Sequence, residues 1–280
     1  MAQQFETVLK AKTSLINLNL RDLWKYRDLI LLFVRRTFVS QYKQTVLGPA
    51  WAVIQPLFTT VIFTVVFGNI AGLSPDGIPT FVFYLGGSVL WTFFSTCLTA
   101  TASTFVANSA ILGKVYFPRL VMPVSTVLSQ FIAFAIQFVF FICFWVFYLV
   151  TGDSLHPNIW MLMTPVLLIH LAALSLGFGI IISSLTTKYR DLTMAIGFGV
   201  QLWMYFTPVA YDVSIIPEKY VFFYMLNPVS PIITMFRYAF LGVGELHLLE
   251  YLISFAVTIV LLFIGIILFN RVERTFMDTV

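Results

Sequence analysis

The chain has 280 residues, 60% of them hydrophobic and 10% charged, with 16 Lys/Arg against 12 Asp/Glu for a net charge of +4. Soluble domains carry about 25% charged residues, so this apolar surface has no soluble core to hide in, and the chain reads as an all-α integral membrane protein. A charge of +4 scattered along 280 residues gives no footing for a nucleic-acid partner.

Residues 1–46 read as a cytoplasmic N-terminal segment. Within them, residues 20–42, LRDLWKYRDLILLFVRRTFVSQY, form an amphipathic pattern. Leu20, Leu23, Trp24, Leu31, Val34 and Phe38 follow a helical stripe, with Arg21, Lys25, Asp28 and Arg35 opposite,. Charge and length argue against crossing, so an interfacial helix on lipid is expected. The first long apolar run starts near Leu47, after eight Lys/Arg. That is too late and too long for the apolar region of a cleaved signal, and none is expected.

Charges then divide residues 47–270 into spans. Between Gln44 and Gly113 the only charged residue is Asp76, inside the turn signal AGLSPDGIPT,. This predicts helices over 47–69 and 79–105, since a crossing needs roughly 20 apolar residues. Asp153, in TGDSLHPN, divides the next run into 123–150 and 158–184. Two further charge-free stretches, 192–211 and 251–270, complete six transmembrane helices, with 271–280 as a tail. Residues 212–247 are apolar yet broken by Pro217, Pro228 and Pro231, which predicts two re-entrant or interfacial half-helices between the fifth and sixth spans,.

The basic residues orient this layout. Eight precede the first span, Lys114 and Arg119 follow the second, Lys188 and Arg190 the fourth, and Arg271 and Arg274 the sixth. These fourteen share one side, and only Lys219 and Arg237 fall on the other. Both termini are therefore expected in the cytoplasm. Residues 108–122 and TKYRDL (187–192) become two compact cytoplasmic protrusions.

The chemistry is limited by what the spans lack. None contains Asp, Glu, Lys or Arg, which argues against an ion-coupled carrier,. His170 is the one titratable group well inside the bilayer, and a hydrogen bond to a neighbouring helix is expected for it. Gln55, Gln130, Gln137 and Gln201 either bridge helices or face a wet path,. Cys97 and Cys143 sit in apolar runs without ligand spacing and read as packing residues,. No Gly-x-x-x-x-Gly-Lys-Ser/Thr loop is present to cradle ATP,. Uphill transport would need energy from another chain, pressing on the cytoplasmic protrusions.

Five segments carry a resemblance: YKQTVLGPAWAVIQPL (42–57), GKVYFPRLVMP (113–123), KYRDL (188–192), YFTPVAYD (205–212) and NPVSPIITMFRYAFLG (227–242). In that order the chain resembles the ABC-2 type permeases of O-antigen and capsular polysaccharide export, from about residue 25 onward. The resemblance implies a homodimer in a bacterial inner membrane, with a channel between the halves. It implies two copies of a nucleotide-binding ATPase subunit that hold the ATP and Mg, and no cofactor on this chain. The cargo it implies is a lipid-linked polysaccharide. It places Lys114, Tyr116, Phe117 and Arg119 at the joint with the ATPase, with Tyr189, Arg190 and Asp191 as a second contact.

Sugars present apolar C–H faces and a rim of hydroxyls, so an aromatic, uncharged path suits a moving glycan. Since the first and fifth helices border the channel in the exporters this chain resembles, Trp51, Gln55 and Phe58 are expected on one face of the first. Gln201, Trp203, Tyr205 and Tyr211 are the matching set on the fifth. An exporter of a teichoic-type polymer or a smaller hydrophobic compound, an ion-coupled carrier and a non-transporting scaffold are the alternatives left open by the residues.

Overall fold

The computed structural model describes residues 20–279 except 74, 76, 113, 116, 153, 187, 188 and 190, and these form helices and turns without a strand. Two helices open the chain, α1 (Leu20–Lys25) and α2 (Arg27–Tyr42). A 3-10 turn at Gly48–Ala50, with a proline in its first turn where no N–H is needed, leads into α3 (Trp51–Phe63),. Pro56 lies inside α3, and the helix runs on as a π-helical stretch at Thr64–Ile70. Then come α4 (Thr80–Ala102), the short α5 (Thr104–Ala107) and α6 (Ser109–Leu112), and the long α7 (Val121–Thr151). A 3-10 turn at Ile159–Met163 starts α8 (Thr164–Thr186), followed by α9 (Leu192–Tyr205), α10 (Glu218–Met225), α11 (Ser230–Leu241) and α12 (Leu248–Thr279).

Five of these stretches are long and apolar enough to cross a membrane: Gly48–Ile70, Thr80–Ala102, Val121–Thr151, Ile159–Thr186 and Leu248–Arg271. The fifth expected span is a helix of only 14 residues, Leu192–Tyr205. At 1.5 Å per residue it covers about 21 Å, against roughly 30 Å of hydrocarbon. The apolar run does extend to residue 211, but residues 206–211 leave the helix, and their carbonyls are bonded by another element, described below. Hydropathy counts such residues without knowing that their backbone has turned. Two short helices, α10 and α11, occupy the proline-broken region. Pro123 falls in the first turn of α7, and α12 continues to Thr279 through the expected tail.

α4 is the central post. Residues 82–91 are buried without exception, and the helix contacts α3, α7, α8, α9 and α11. A second cluster joins Ile30 and Phe33 of α2 to Phe105, Phe117, Val121, Met122, Ile180 and Phe269. The stripe of α2 that faces protein is thus Ile30 and Phe33, with Leu23, Tyr26 and Leu29 beside them, while Trp24 and Leu31 are exposed. Leu23 and Val34 of the expected stripe do pack against this cluster, so part of that stripe faces protein and part, with Trp24 and Leu31, faces outward. Cys97 is buried as expected, but Cys143 is exposed on α7.

The two ends of the bundle are distinct. At one, Thr186 Oγ1 donates to Ala102 O at 3.0 Å, and the Phe105 and Phe269 rings stack with centroids 4.7 Å apart. This end gathers α2, α5, the start of α7 and the far part of α12. At the other, His156 N donates to Leu241 O at 3.3 Å and Ser254 Oγ to Pro228 O at 2.6 Å, tying α11 to the α7–α8 connection and to α12.

Small residues set the closest approaches. A Cβ at Gly179 of α8 would lie 2.5 Å from Thr101 Cβ of α4. Gly179→Ala should destabilise by about 1–3 kcal/mol through overpacking, read as a lower thermal midpoint. An unchanged midpoint would show that α4 and α8 can part without cost.

Candidate functional site

Two depressions share one wall and form a groove bounded by α3, α4, α7 and α9. The larger, about 570 Å³, is lined by Tyr42, Trp51, Gln55, Phe58, Thr59, Thr92, Phe93, Thr96, Gln130, Phe134 and Gln137, among others. The smaller, about 360 Å³, is lined by Ser88, Trp91, Ser95, Thr99, Gly197 and Gln201, and shares Gln55, Thr59, Thr92 and Thr96 with its neighbour. Among the described residues no charged side chain lines either.

The hydroxyls of this groove come mainly from α4. Ser88, Thr92, Ser95, Thr96 and Thr99 follow spacings of three and four, which puts them on one helix face,. Most of their protons are committed to the preceding turn. Thr96 Oγ1 donates to Thr92 O at 2.7 Å, Thr99 Oγ1 to Ser95 O at 2.7 Å and Ser95 Oγ to Thr92 O at 3.1 Å. On α3, Thr59 Oγ1 donates to Gln55 O at 3.1 Å. A hydroxyl whose proton is engaged still offers oxygen lone pairs, so this wall presents acceptors. Donors come from the side-chain amides of Gln55, Gln130 and Gln201, which have no hydrogen-bond partner among the described residues. Gln137 is different: its Nε2 donates to Ala52 O at 2.9 Å and pins α7 to α3. The result is a neutral surface of acceptors, amides and aromatic faces.

Of the expected lining, Trp51, Gln55, Phe58 and Gln201 meet in this groove. Trp203 does not. Its ring packs edge-on between Phe94 (5.3 Å) and Phe178 (5.1 Å), and its Nε1 donates to Asn227 Oδ1 at 3.1 Å. Two residues on from Gln201, it points to the opposite side of α9. Tyr205 is exposed at the last residue of α9 and lines neither depression. Tyr211 lies beyond the helix, its OH donating to Tyr205 O at 2.9 Å and meeting Tyr224 OH. Gln130, one of the glutamines expected to bridge helices or face a wet path, lines the groove, and the α4 hydroxyl row is the lining that the sequence reading passed over, although a run of hydroxyls at helical spacing was there to be seen.

Of the joint residues, Lys114 is exposed in the turn after α6, and Arg119 is half-buried. Phe117 is buried against the Phe33 ring, with centroids 5.8 Å apart, so it holds the turn onto α2 and offers no face to a partner. A large aromatic in a short loop finds its own chain's core first. Tyr189 and Asp191 are exposed, while Tyr116 and Arg190 lie outside the described residues.

At the opposite end Arg237 of α11, 2% exposed, organises the turn after α9. Its Nη1 donates to Pro208 O at 2.6 Å and Tyr211 O at 3.1 Å, and its Nη2 to Val209 O at 2.7 Å. The guanidinium also lies 3.7 Å over the Phe83 ring,. Gly87 makes room for it, since a Cβ there would lie 2.6 Å from Nη2. His170, deep in the bundle, pairs its Nε2 with Thr258 Oγ1 at 2.9 Å, as expected for a helix-bridging histidine.

These features define a multi-pass helical membrane protein with an uncharged polar groove on one side. The model of the ABC-2 type transporter family matches residues 28–241, and the chain belongs to that family. It is similar to an O-antigen export system permease protein, RfbA, of Klebsiella pneumoniae, 27% identical over 90% of this chain and 94% of that one. The RfbA permease of Myxococcus xanthus is 25% identical, covering 79% of this chain and 83% of its own. The polysialic acid transport protein KpsM of Escherichia coli is 24% identical, over 89% and 94%.

Proposed function

We propose that this chain is the membrane-spanning permease subunit of an ATP-driven exporter that moves a lipid-linked polysaccharide, of O-antigen or capsule type, from cytoplasm to periplasm. It works as a homodimer in a bacterial inner membrane, with two ATPase subunits that bind and hydrolyse ATP with Mg. The chain itself binds no cofactor and catalyses no reaction.

The observation that carries this reading is the neutrality of the groove. A glycan passing through it trades hydrogen bonds with water for bonds to α4 oxygens and glutamine amides, while ring faces stack on Trp51 and Phe58. A buried charge would hold each sugar at a deep minimum, whereas many weak, similar contacts let the chain advance. The relatives' names, O-antigen export and polysialic acid transport, support a polymer of sugars as the cargo. The groove is open where Trp51 and Phe58 of α3 are exposed. A second copy facing these helices would close it into a channel. Lys114, Tyr189 and Asp191, exposed at the basic end of the bundle, are the surface offered to the ATPase.

Co-reconstitution with the ATPase in vesicles, with labelled lipid-linked glycan on the ATP side, tests the proposal. ATP-dependent protection of the glycan from an external glycosidase is expected. Trp51→Ala should slow this severalfold without loss of ATPase association, and Tyr205→Ala, outside the groove, should slow it less. Transport that ignores ATP, or that proceeds equally with both substitutions, would defeat this reading of the path.

A further inference from the structure

Helix α2 turns one face to the protein and leaves the opposite face bare. Ile30 and Phe33 are buried. The side opposite them carries Leu32, Arg35, Arg36 and Val39, continued by Lys43 at the end of the helix,. All five are exposed, Leu32 at 59% and Val39 at 43%. Asp28 is the one acidic residue of α2, and Arg27 Nε lies 3.9 Å from its carboxylate. The side chains of Arg35, Arg36 and Lys43 have no ion pair or hydrogen bond among the described residues. A face made only for water has no use for bare Leu32 and Val39 among its charges, and a face made for a protein core has none for three unpaired cations.

The neighbouring edge of the helix fixes where this face lies. Leu31, Phe38 and Tyr42 follow spacings of seven and four, which puts them on one edge,. Leu31 is exposed, the Phe38 and Tyr42 rings pack with centroids 4.9 Å apart, and Tyr42 lines the groove with Trp51 and Phe58 of α3. Trp51 and Phe58 belong to the spanning stretch that begins at Gly48, shortly after Lys43. The apolar edge of α2 is therefore turned toward the bilayer, and the cations beside it lie at the level of the headgroups. Long basic side chains there lay their stems on apolar surface and hold their charges among lipid phosphates.

We propose that this face of α2 binds anionic phospholipid, its phosphates drawn to Arg35, Arg36 and Lys43 and its acyl chains lying against the exposed aliphatic side chains. The aliphatic residues among the cations, and the turn of the helix toward the bilayer, favour lipid over an acidic protein surface. Through Phe33 on Phe117 the helix touches the turn before α7, and through Gln41 and Tyr42 it touches the groove. Anionic lipid on its outer face holds both in place. The inference stands on the position of α2 and not on what the groove carries, so its test needs no transport.

Native mass spectrometry of the full-length chain, released from nanodiscs with equal amounts of phosphatidylglycerol and phosphatidylcholine, tests it. Each cation at an anionic surface gives about a fivefold preference. Arg35→Gln/Arg36→Gln/Lys43→Gln should therefore lower the ratio of retained phosphatidylglycerol to phosphatidylcholine at least about tenfold. Arg35→Lys/Arg36→Lys, which keeps the charge, should preserve the ratio, and so should Lys219→Gln, which removes an exposed charge on α10. All the substituted side chains are exposed, so elution volume and thermal midpoint should match the parent. Arg36→Gln alone, with a loss of about fivefold, serves if the triple variant does not fold. Equal retention of the two lipids by the parent, an unchanged ratio in the glutamine variants, or an equal loss in Lys219→Gln overturns the proposal. So does displacement of phosphatidylglycerol by inorganic diphosphate at constant ionic strength, which assigns these cations to a soluble anion. Loss of an ATPase subunit from the triple variant with the lipid ratio intact assigns them to a protein and overturns it as well.

Discussion

Arg237→Met should remove most of the folded protein. The substitution keeps the bulk of the side chain but strips the donors from the carbonyls of Pro208, Val209 and Tyr211. These carbonyls lie in a non-helical turn beside α4, where water has little access, and each one left unpaired costs about 1–3 kcal/mol. Three together approach the roughly 5–15 kcal/mol that holds a typical domain. The loss should appear as aggregated material in fluorescence-detected size exclusion and as a large fall in thermal midpoint. Arg237→Lys should recover only part of this, because one ammonium cannot reproduce a planar fork spread over several acceptors. A methionine variant that elutes and melts like the parent would show that the turn after α9 holds itself.

The second large effect is expected in the groove. Thr96 lies on the wall shared by both depressions and is half-buried, its hydroxyl bonded back to Thr92. Thr96→Trp places an indole across the path without displacing the buried face of α4. If the groove is the glycan's route, the barrier to passage rises by roughly 1.4–3 kcal/mol, a drop in export of about tenfold to a hundredfold. Thr96→Ser, which keeps the acceptor oxygen, should export normally. Both variants should retain the ATPase and their thermal midpoint. Full export by the tryptophan variant would place the route elsewhere.

Much of this molecule is legible in its composition and charge order. Long charge-free runs have to become helices in lipid, where every backbone N–H and C=O must be bonded internally. Four of the spans expected, 47–69, 79–105, 123–150 and 158–184, match helices within a few residues. The last span matches the apolar part of α12. The short fifth helix was not legible, because hydropathy registers apolar side chains and is blind to a backbone that leaves the helix at residue 206 to be bonded by a distant arginine. That Phe117 and Trp203 pack within this chain was not legible for a related reason. An aromatic residue looks the same in sequence whether it faces a partner, a channel or its own core.

The chain alone determined that it is membrane-embedded, how its cations divide, and that its spans carry no charge, since each follows from the cost of placing particular groups in hydrocarbon. Tertiary structure decided which neutral polar residues meet, bringing the α4 hydroxyls to Gln55, Gln130 and Gln201, and which cation is buried as a structural clamp. Those outcomes depend on how helices rotate and approach one another. That is set by close contacts such as Gly179 against Thr101 and Gly87 beside Arg237, which act between residues far apart in sequence.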